Sequence, residues 1–236
     1  RAGHFSNFST SSGDEMSGNI TGYSLRKLGY GTFEQGGLTI SQLKSLIDDG
    51  YPIIVLMWFT PAKVYGHYRV VVGYNETHIV FHDPWNKEAW GGTYGGPNTT
   101  MPESTFLDLW DYSGNWSLLT YPWDVTLTVP NIVELGNIFT VSATVTYVCP
   151  EPFSAFDYPA SSCNITINLP VGLSLESGET AKKTLGSGNL SARESASVSW
   201  AVKADKCGTY AISVEAEGIV SGSVGEHDTY RSYNYV

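Results

Sequence analysis

Residues 66–85, GHYRVVVGYNETHIVFHDPW, carry a histidine near one end and an aspartate near the other of two apolar runs. VVVGY and HIVFH are rich in β-branched and aromatic side chains, and the Asn75-Glu76-Thr77 between them is polar and fit to turn. The two runs are therefore expected to pair as an antiparallel hairpin. If Tyr74 lies opposite Thr77 or His78, His67 falls opposite Pro84 or Trp85, with Asp83 one or two positions away, and imidazole and carboxylate can meet. A base held in one tautomer by a carboxylate is two thirds of a nucleophilic triad. His67 and Asp83 are accordingly the candidate catalytic residues, and the nucleophile is to be sought elsewhere.

Outward from the hairpin the pattern is mixed. Thr39 or Ser41 can cap a helix that runs through Asp49, with Leu43, Leu46 and Ile47 recurring at spacings of three and four, and Gly50 ends it. Pro52 opens a buried strand to Phe59, and TPAKVY leads into the hairpin. Residues 1–22 read as loop, residues 23–28 as a helical turn and residues 29–37 as a connection. After Trp85, the Gly-rich run NKEAWGGTYGGPNTT reads as a long surface loop. Trp85 and Trp90 are expected to border a substrate groove there, able to receive a peptide side chain or a sugar ring. A capped helix is expected from Pro102 to Trp110.

G-H-Y followed by an apolar strand, G-Y, a turn, a second strand and D-P-W resembles the papain-like bacteriocin-processing cysteine peptidases. The resemblance spans roughly residues 20–122. GLTISQLKSLIDDGYPIIVLMWF looks like that family's helix, Gly-Tyr-Pro turn and the strand before the histidine, and MPESTFLDLWDYSGNWSLLTYP looks like its closing helix and final strand. The resemblance implies an α+β papain-like domain over residues 1–122, with His67 as general base, Asp83 as its orienting partner and a peptide or protein as substrate. The family also carries a cysteine at the start of an N-terminal helix, preceded by an oxyanion-hole glutamine. This chain has neither, since its cysteines are Cys149, Cys163 and Cys207. Three readings stand open. The chain is the C-terminal part of an exported peptidase whose nucleophile lies outside it, with the missing N-terminal segment as a partner, or it is an inactive surface protein that binds peptide or glycan, or it is a purely structural component of a cell envelope.

Beyond Pro122-Trp123 helical periodicity stops. DVTLTV, NIFTVSATVTYV, SCNITINL, TAKKTLG, ASVSWAVKA, GTYAISVEAEG and DTYRSYNYV read as about seven strands of a β-sandwich over residues 123–236. Phe139, Val141, Ala143, Val145 and Tyr147 alternate onto one face. A G-N-L-S-A turn before a Trp-bearing strand resembles immunoglobulin-like accessory domains, which implies a spacer or binding module and no chemistry.

The formal net charge is −10 and no basic cluster occurs, which argues against nucleic acid or an anionic membrane as partner. Apolar runs such as PIIVLMWF stop at about eight residues, short of the roughly 20 that span a bilayer. Seven of the 12 asparagines sit in Asn-X-Ser/Thr sequons, at Asn7, Asn19, Asn75, Asn98, Asn115, Asn164 and Asn189. Chance would give about two or three, so the excess points to a glycosylated, extracellular or cell-surface protein, although Thr-rich loops also generate sequons. Cys149 and Cys163 bracket a Pro-rich loop that a disulfide could close. Pairing of either with Cys207 stays open, as does a set of buried thiols. His78 and His82 share a strand face at about 13 Å, too far for one ion, so no metal is expected. No phosphate loop, zinc spacing or calcium loop occurs, so no cofactor is expected either.

Overall fold

In the computed structural model, residues 31–154, 159–222 and 225–235 are described. The expected loop over 1–22, the turn over 23–28 and the sequons at Asn7 and Asn19 lie outside the described residues. Two compact units emerge. One holds residues 32–121 and 150–154, and the other holds residues 122–149, 159–222 and 225–235.

The first unit is built on a six-stranded sheet. In chain order its elements are β1 (Gly31–Gln35), α1 (Ile40–Asp48), β2 (Ile53–Trp58), β3 (Gly66–Tyr74), β4 (His78–Asp83), α2 (Lys87–Trp90), β5 (Gly96–Pro102), α3 (Glu103–Trp110) and β6 (Ser117–Tyr121). The strands lie in the order β1-β6-β2-β3-β4-β5. Thr39 caps α1 through a reciprocal pair: its Oγ1 accepts from the Gln42 amide at 3.2 Å, and Gln42 Oε1 accepts from the Thr39 amide at 2.9 Å. Two of the helix's orphan donors are thereby satisfied. Leu43 and Leu46 form the buried stripe, and Gly50, at φ +87°, turns the chain toward β2.

Ile53, Val55 and Met57 alternate onto one face of β2, and their partners across the ladder on β3 are Val71, Arg69 and His67. Phe81 pairs with Val71 and Thr99 with Phe81, so the same face runs on across β4 and β5. Ile53, Val55, Met57, Val71, Ile79, Phe81 and Met101 on this face are all essentially inaccessible to solvent. At roughly 1.5–3 kcal/mol for each large apolar side chain, this layer supplies much of the unit's folding energy. Arg69 is buried within it.

Two expectations for this unit are corrected. Residues 31–35 form an edge strand where a connection was expected. The run after Trp85 is not a loop throughout: it folds into α2 and then β5, which closes the other edge of the sheet. The β-branched Thr99 and Thr100 pair with Phe81 and Val80, and Met101 opposite Ile79 anchors the strand in the core.

The second unit consists of β7 (Asp124–Thr128), β8 (Ile138–Thr146), β9 (Ala160–Asn168), β10 (Leu173–Leu175), β11 (Lys182–Thr184), β12 (Asn189–Leu190), β13 (Ser195–Ala204), β14 (Ser213–Gly222) and β15 (Gly225–Tyr235). One sheet has the order β10-β13-β8-β7 and the other β11-β9-β14-β15, with β12 also on β9. Strands occur in all seven expected segments, and the short β10 and β12 are additional. Val141, Ala143, Val145 and Trp200 are buried from the first sheet, and Cys163, Ile165, Val214 and Ala216 from the second. Trp123 joins the two inner faces. Its ring centroid is 5.3 Å from that of Tyr147, and a Cβ on Gly218 of β14 would stand 2.8 Å from its Cη2, so only glycine leaves room for the indole.

The expected Cys149–Cys163 disulfide does not form. Cys163 lies in β9 with its sulfur turned toward Gly218 and Trp123. Cys149 follows β8, a strand of the opposite sheet, and its carbonyl accepts from Arg193 Nε at 2.8 Å. Burial pushes the Cys163 thiol up to about 11, with a backbone hydrogen bond from Leu190 pulling the other way. Cys207 is exposed.

No helix among the described residues is long and apolar enough to cross a membrane.

Candidate active site

The hairpin delivers its histidine and aspartate by a route that simple register counting does not anticipate. Asn75 Oδ1 accepts from the amides of Thr77 and His78 at 2.9 and 2.8 Å, a local turn that leaves Glu76 and Thr77 at the tip. Tyr74 consequently pairs with Ile79, not with Thr77 or His78. Continued unchanged, this register would set Asp83 opposite Val70, on the face away from His67. A β-bulge between Val71 and Gly73 adds one residue to β3 and moves the pairing to Val71 with Phe81 and Val70 with His82. Asp83 then comes level with Arg69, and one side of the sheet carries His67, Arg69 and Asp83 together.

His67 Nε2 lies 2.7 Å from Asp83 Oδ1. The Asp83 carboxylate is completely buried and the His67 side chain is 14% exposed. Oδ1 also accepts the Trp85 amide at 2.8 Å, and Oδ2 accepts Arg69 Nε at 2.8 Å. Burial alone would raise the Asp83 carboxyl. The hydrogen bonds from His67 and the Trp85 amide, with the Arg69 charge, outweigh it and hold the group below its ordinary range. Asp83 is thus a carboxylate that only accepts, so the proton between it and the imidazole sits on Nε2, which is the tautomer that puts a lone pair on Nδ1. Among the described residues nothing hydrogen-bonds to Nδ1. An imidazole oriented by a carboxylate, with its second nitrogen uncommitted among the described residues, can serve as a general base.

Arg69 was not singled out in the sequence, where one charge in HYRVVVGY passes for a solvated strand position. It is fully buried, and its guanidinium also donates from Nη1 to the Trp58 carbonyl at 3.2 Å and from Nη2 to the Phe59 carbonyl at 3.0 Å. The rings of Phe81, Tyr94 and Phe59 surround it at 5.3, 5.8 and 6.0 Å. Its position two residues from the candidate base, with the same face parity, was the available signal.

Aromatic rings lead away from the imidazole in series. His67 to Phe59 is 4.7 Å between centroids, Phe59 to Trp85 5.0 Å and Trp85 to Trp90 4.9 Å. Trp85 is held by Nε1 donating to the Gly91 carbonyl at 2.7 Å, and Trp90 is 65% exposed. Phe59, Pro61, Trp85, Trp90 and Tyr94 line a recess of about 200 Å³. Phe59 stands between this recess and the imidazole. His78 and His82 point to the face of β4 opposite Asp83. Each commits Nδ1 locally, to Thr77 Oγ1 at 2.8 Å and to the Asn98 amide at 3.1 Å. No cluster of three metal-ligating side chains occurs among the described residues.

The remaining sequons differ in environment. Asn75, Asn98 and Asn189 are exposed. Asn115 is half-buried and its Nδ2, the atom a glycan would occupy, donates to the Leu38 carbonyl at 3.2 Å. Asn164 Nδ2 donates to the Ser162 carbonyl at 2.7 Å.

Residues 5–118 match the model of the Peptidase_C39 like family. A solved structure of the Vibrio cholerae VesB protease aligns at 18% identity over 78% of this chain, with a TM-score of 0.25. The chain spans 62% of that protease's length. No curated protein matches the chain.

Proposed function

We propose that the first unit is the base-bearing part of a papain-like cysteine peptidase domain, expected over residues 1–122, and that it hydrolyses peptide bonds with a thiol supplied from outside this chain. The observation that carries the reading is the 2.7 Å contact of His67 Nε2 with a buried, ionised Asp83, with Nδ1 without a hydrogen-bond partner among the described residues. The match of residues 5–118 to a peptidase-like family supports it. Residues 1–148 contain no cysteine, and the buried, high-pKa Cys163 is a poor nucleophile.

In this reading the incoming thiol gives its proton to Nδ1, and the thiolate–imidazolium pair attacks a peptide carbonyl. The tetrahedral intermediate collapses as the imidazolium protonates the leaving amine, and water then hydrolyses the thioester with Nδ1 again acting as base. Asp83 stabilises the imidazolium without taking the proton. The Phe59 ring packs on the imidazole, and the Asp83 carboxylate that holds it is removed from water. The second unit, residues 123–236, is read as an immunoglobulin-like spacer, and the exposed sequons favour an extracellular or cell-surface location.

The absence of cysteine from residues 1–148 equally suits the second reading, a domain without a nucleophile that binds peptide or glycan at the Phe59-Trp85-Trp90 recess. A thiol-directed peptidyl epoxide added to the full-length protein separates the two. Labelling that is lost in His67→Ala supports the peptidase. No labelling, or labelling indifferent to His67→Ala, overturns it in favour of binding.

A further inference from the structure

Arg69 is an unusual residue to find beneath a catalytic pair. It is buried within an apolar layer and is, among the described residues, the lysine or arginine paired with Asp83. A charge in that position is costly unless it is held in a complete set of partners. Its three donor nitrogens each have one: Asp83 Oδ2 for Nε, the Trp58 carbonyl for Nη1 and the Phe59 carbonyl for Nη2. The two carbonyls belong to the last residue of β2 and the residue after it, and Phe59 packs its ring on His67 at 4.7 Å. One planar fork therefore fixes the carboxylate that holds one edge of the imidazole and the backbone that carries the ring against it.

We propose that Arg69 is the positioning residue of this site, acting through Asp83 and Phe59 to keep the His67 ring in the orientation and tautomer that present Nδ1 for proton transfer. The proposal rests on the peptidase reading for its catalytic meaning, but its geometric content does not. Geometry explains why arginine is required. Lysine could restore the charge beside Asp83, but a single ammonium on a flexible stem cannot reach the carboxylate and two backbone carbonyls in one plane. With the fork gone, Asp83 Oδ2 loses its anchor and the Trp58–Phe59 segment is released. The imidazole is then free to turn.

The test uses the His67 ring proton, which can be read on this chain whether or not it is an enzyme. In wild type, proton NMR should show a slowly exchanging, downfield Nε2–H resonance that disappears in His67→Gln. In Arg69→Met that resonance should be lost. In Arg69→Lys it should persist with exchange at least about tenfold faster, and because lysine keeps the charge this variant carries the test if the methionine variant does not fold. An unchanged resonance and exchange rate in any folded Arg69 variant overturns the proposal, whatever the activity. On the full-length protein, Arg69→Lys should lower kcat by about 10²-fold with KM changed less than about twofold. If wild type proves inactive while the ring-proton result holds, the peptidase reading fails and the positioning role stands. If wild type is active and Arg69→Lys matches it, the positioning role fails alone.

Discussion

Gly66 lies directly against the ring of Tyr112: a Cβ at that residue would stand 2.7 Å from both Cε1 and Cζ. Tyr112 is in turn packed edge-on against Trp58 at 4.5 Å, and Trp58 Nε1 donates to Asp111 Oδ1 at 3.0 Å. The residue before the candidate base is therefore glycine for reasons of space, because the segment after α3 folds over it.

Gly66→Ala should displace the Tyr112 ring, which is 39% exposed and free to swing outward. The expected cost is the lost aromatic contact, about 1 kcal/mol in urea unfolding, with the fold retained. Gly66→Val should cost more. If Gly66→Ala is as stable as wild type, the packing of Tyr112 on the strand is wrong.

Asp83 makes acid stability a readout of the site. Its folded pKa is depressed, so its contribution is fully present above the unfolded carboxylate value of about 3.9 and is lost as pH falls through the lower folded value. Asp83→Asn leaves the Arg69 guanidinium buried without a counter-charge and should destabilise the fold by about 3–5 kcal/mol at pH 7. The gap between wild type and Asp83→Asn should narrow steadily below about pH 4. Urea midpoints at pH 7, 4 and 3 would measure it, and a gap that stays constant over that range contradicts the ionised, paired carboxylate.

Much of this was readable before any coordinates, and the limits were physical. His67 and Asp83 stood out because two β-rich runs around a polar turn can bring only a few residues together. Arg69 did not, since a lone cation in a strand is usually solvated, and only the buried carboxylate opposite it shows otherwise. The strand at residues 96–102 was hidden by the glycines before it, which signal a loop more strongly than Thr99 and Thr100 signal pairing. Cys149 and Cys163 look close along the chain, but a sheet-to-sheet crossing separates them, and spacing carries no information about which sheet a strand joins.

The thiols should divide sharply by access. Iodoacetamide on the native chain at pH 8 should modify Cys207 alone, with Cys149 and Cys163 reacting only after denaturation. Peptide mass spectrometry of the alkylated protein reads this directly. Rapid native labelling of Cys163, or a Cys149–Cys163 linked peptide in the non-reduced digest, would contradict the packing of β9 against Trp123.

Secretion from a eukaryotic host should likewise separate the sequons. Asn75, Asn98 and Asn189 are open to the transferase, whereas Asn115 spends its amide nitrogen on the Leu38 carbonyl. Glycopeptide analysis is expected to find glycan on the first three and none at Asn115. A fully occupied Asn115 would mean that its hydrogen bond to Leu38 does not survive in the secreted chain.

The bulge near Val72 makes the site a matter of odd and even. Within β3 one residue, Val72, is left without a partner on β4, and that surplus residue decides whether imidazole and carboxylate share a side. An insertion or deletion of a single residue in either arm would leave every local contact of the turn available and still part the two functional groups, while paired changes would be silent. The length of this hairpin is thus under a constraint that its composition is not.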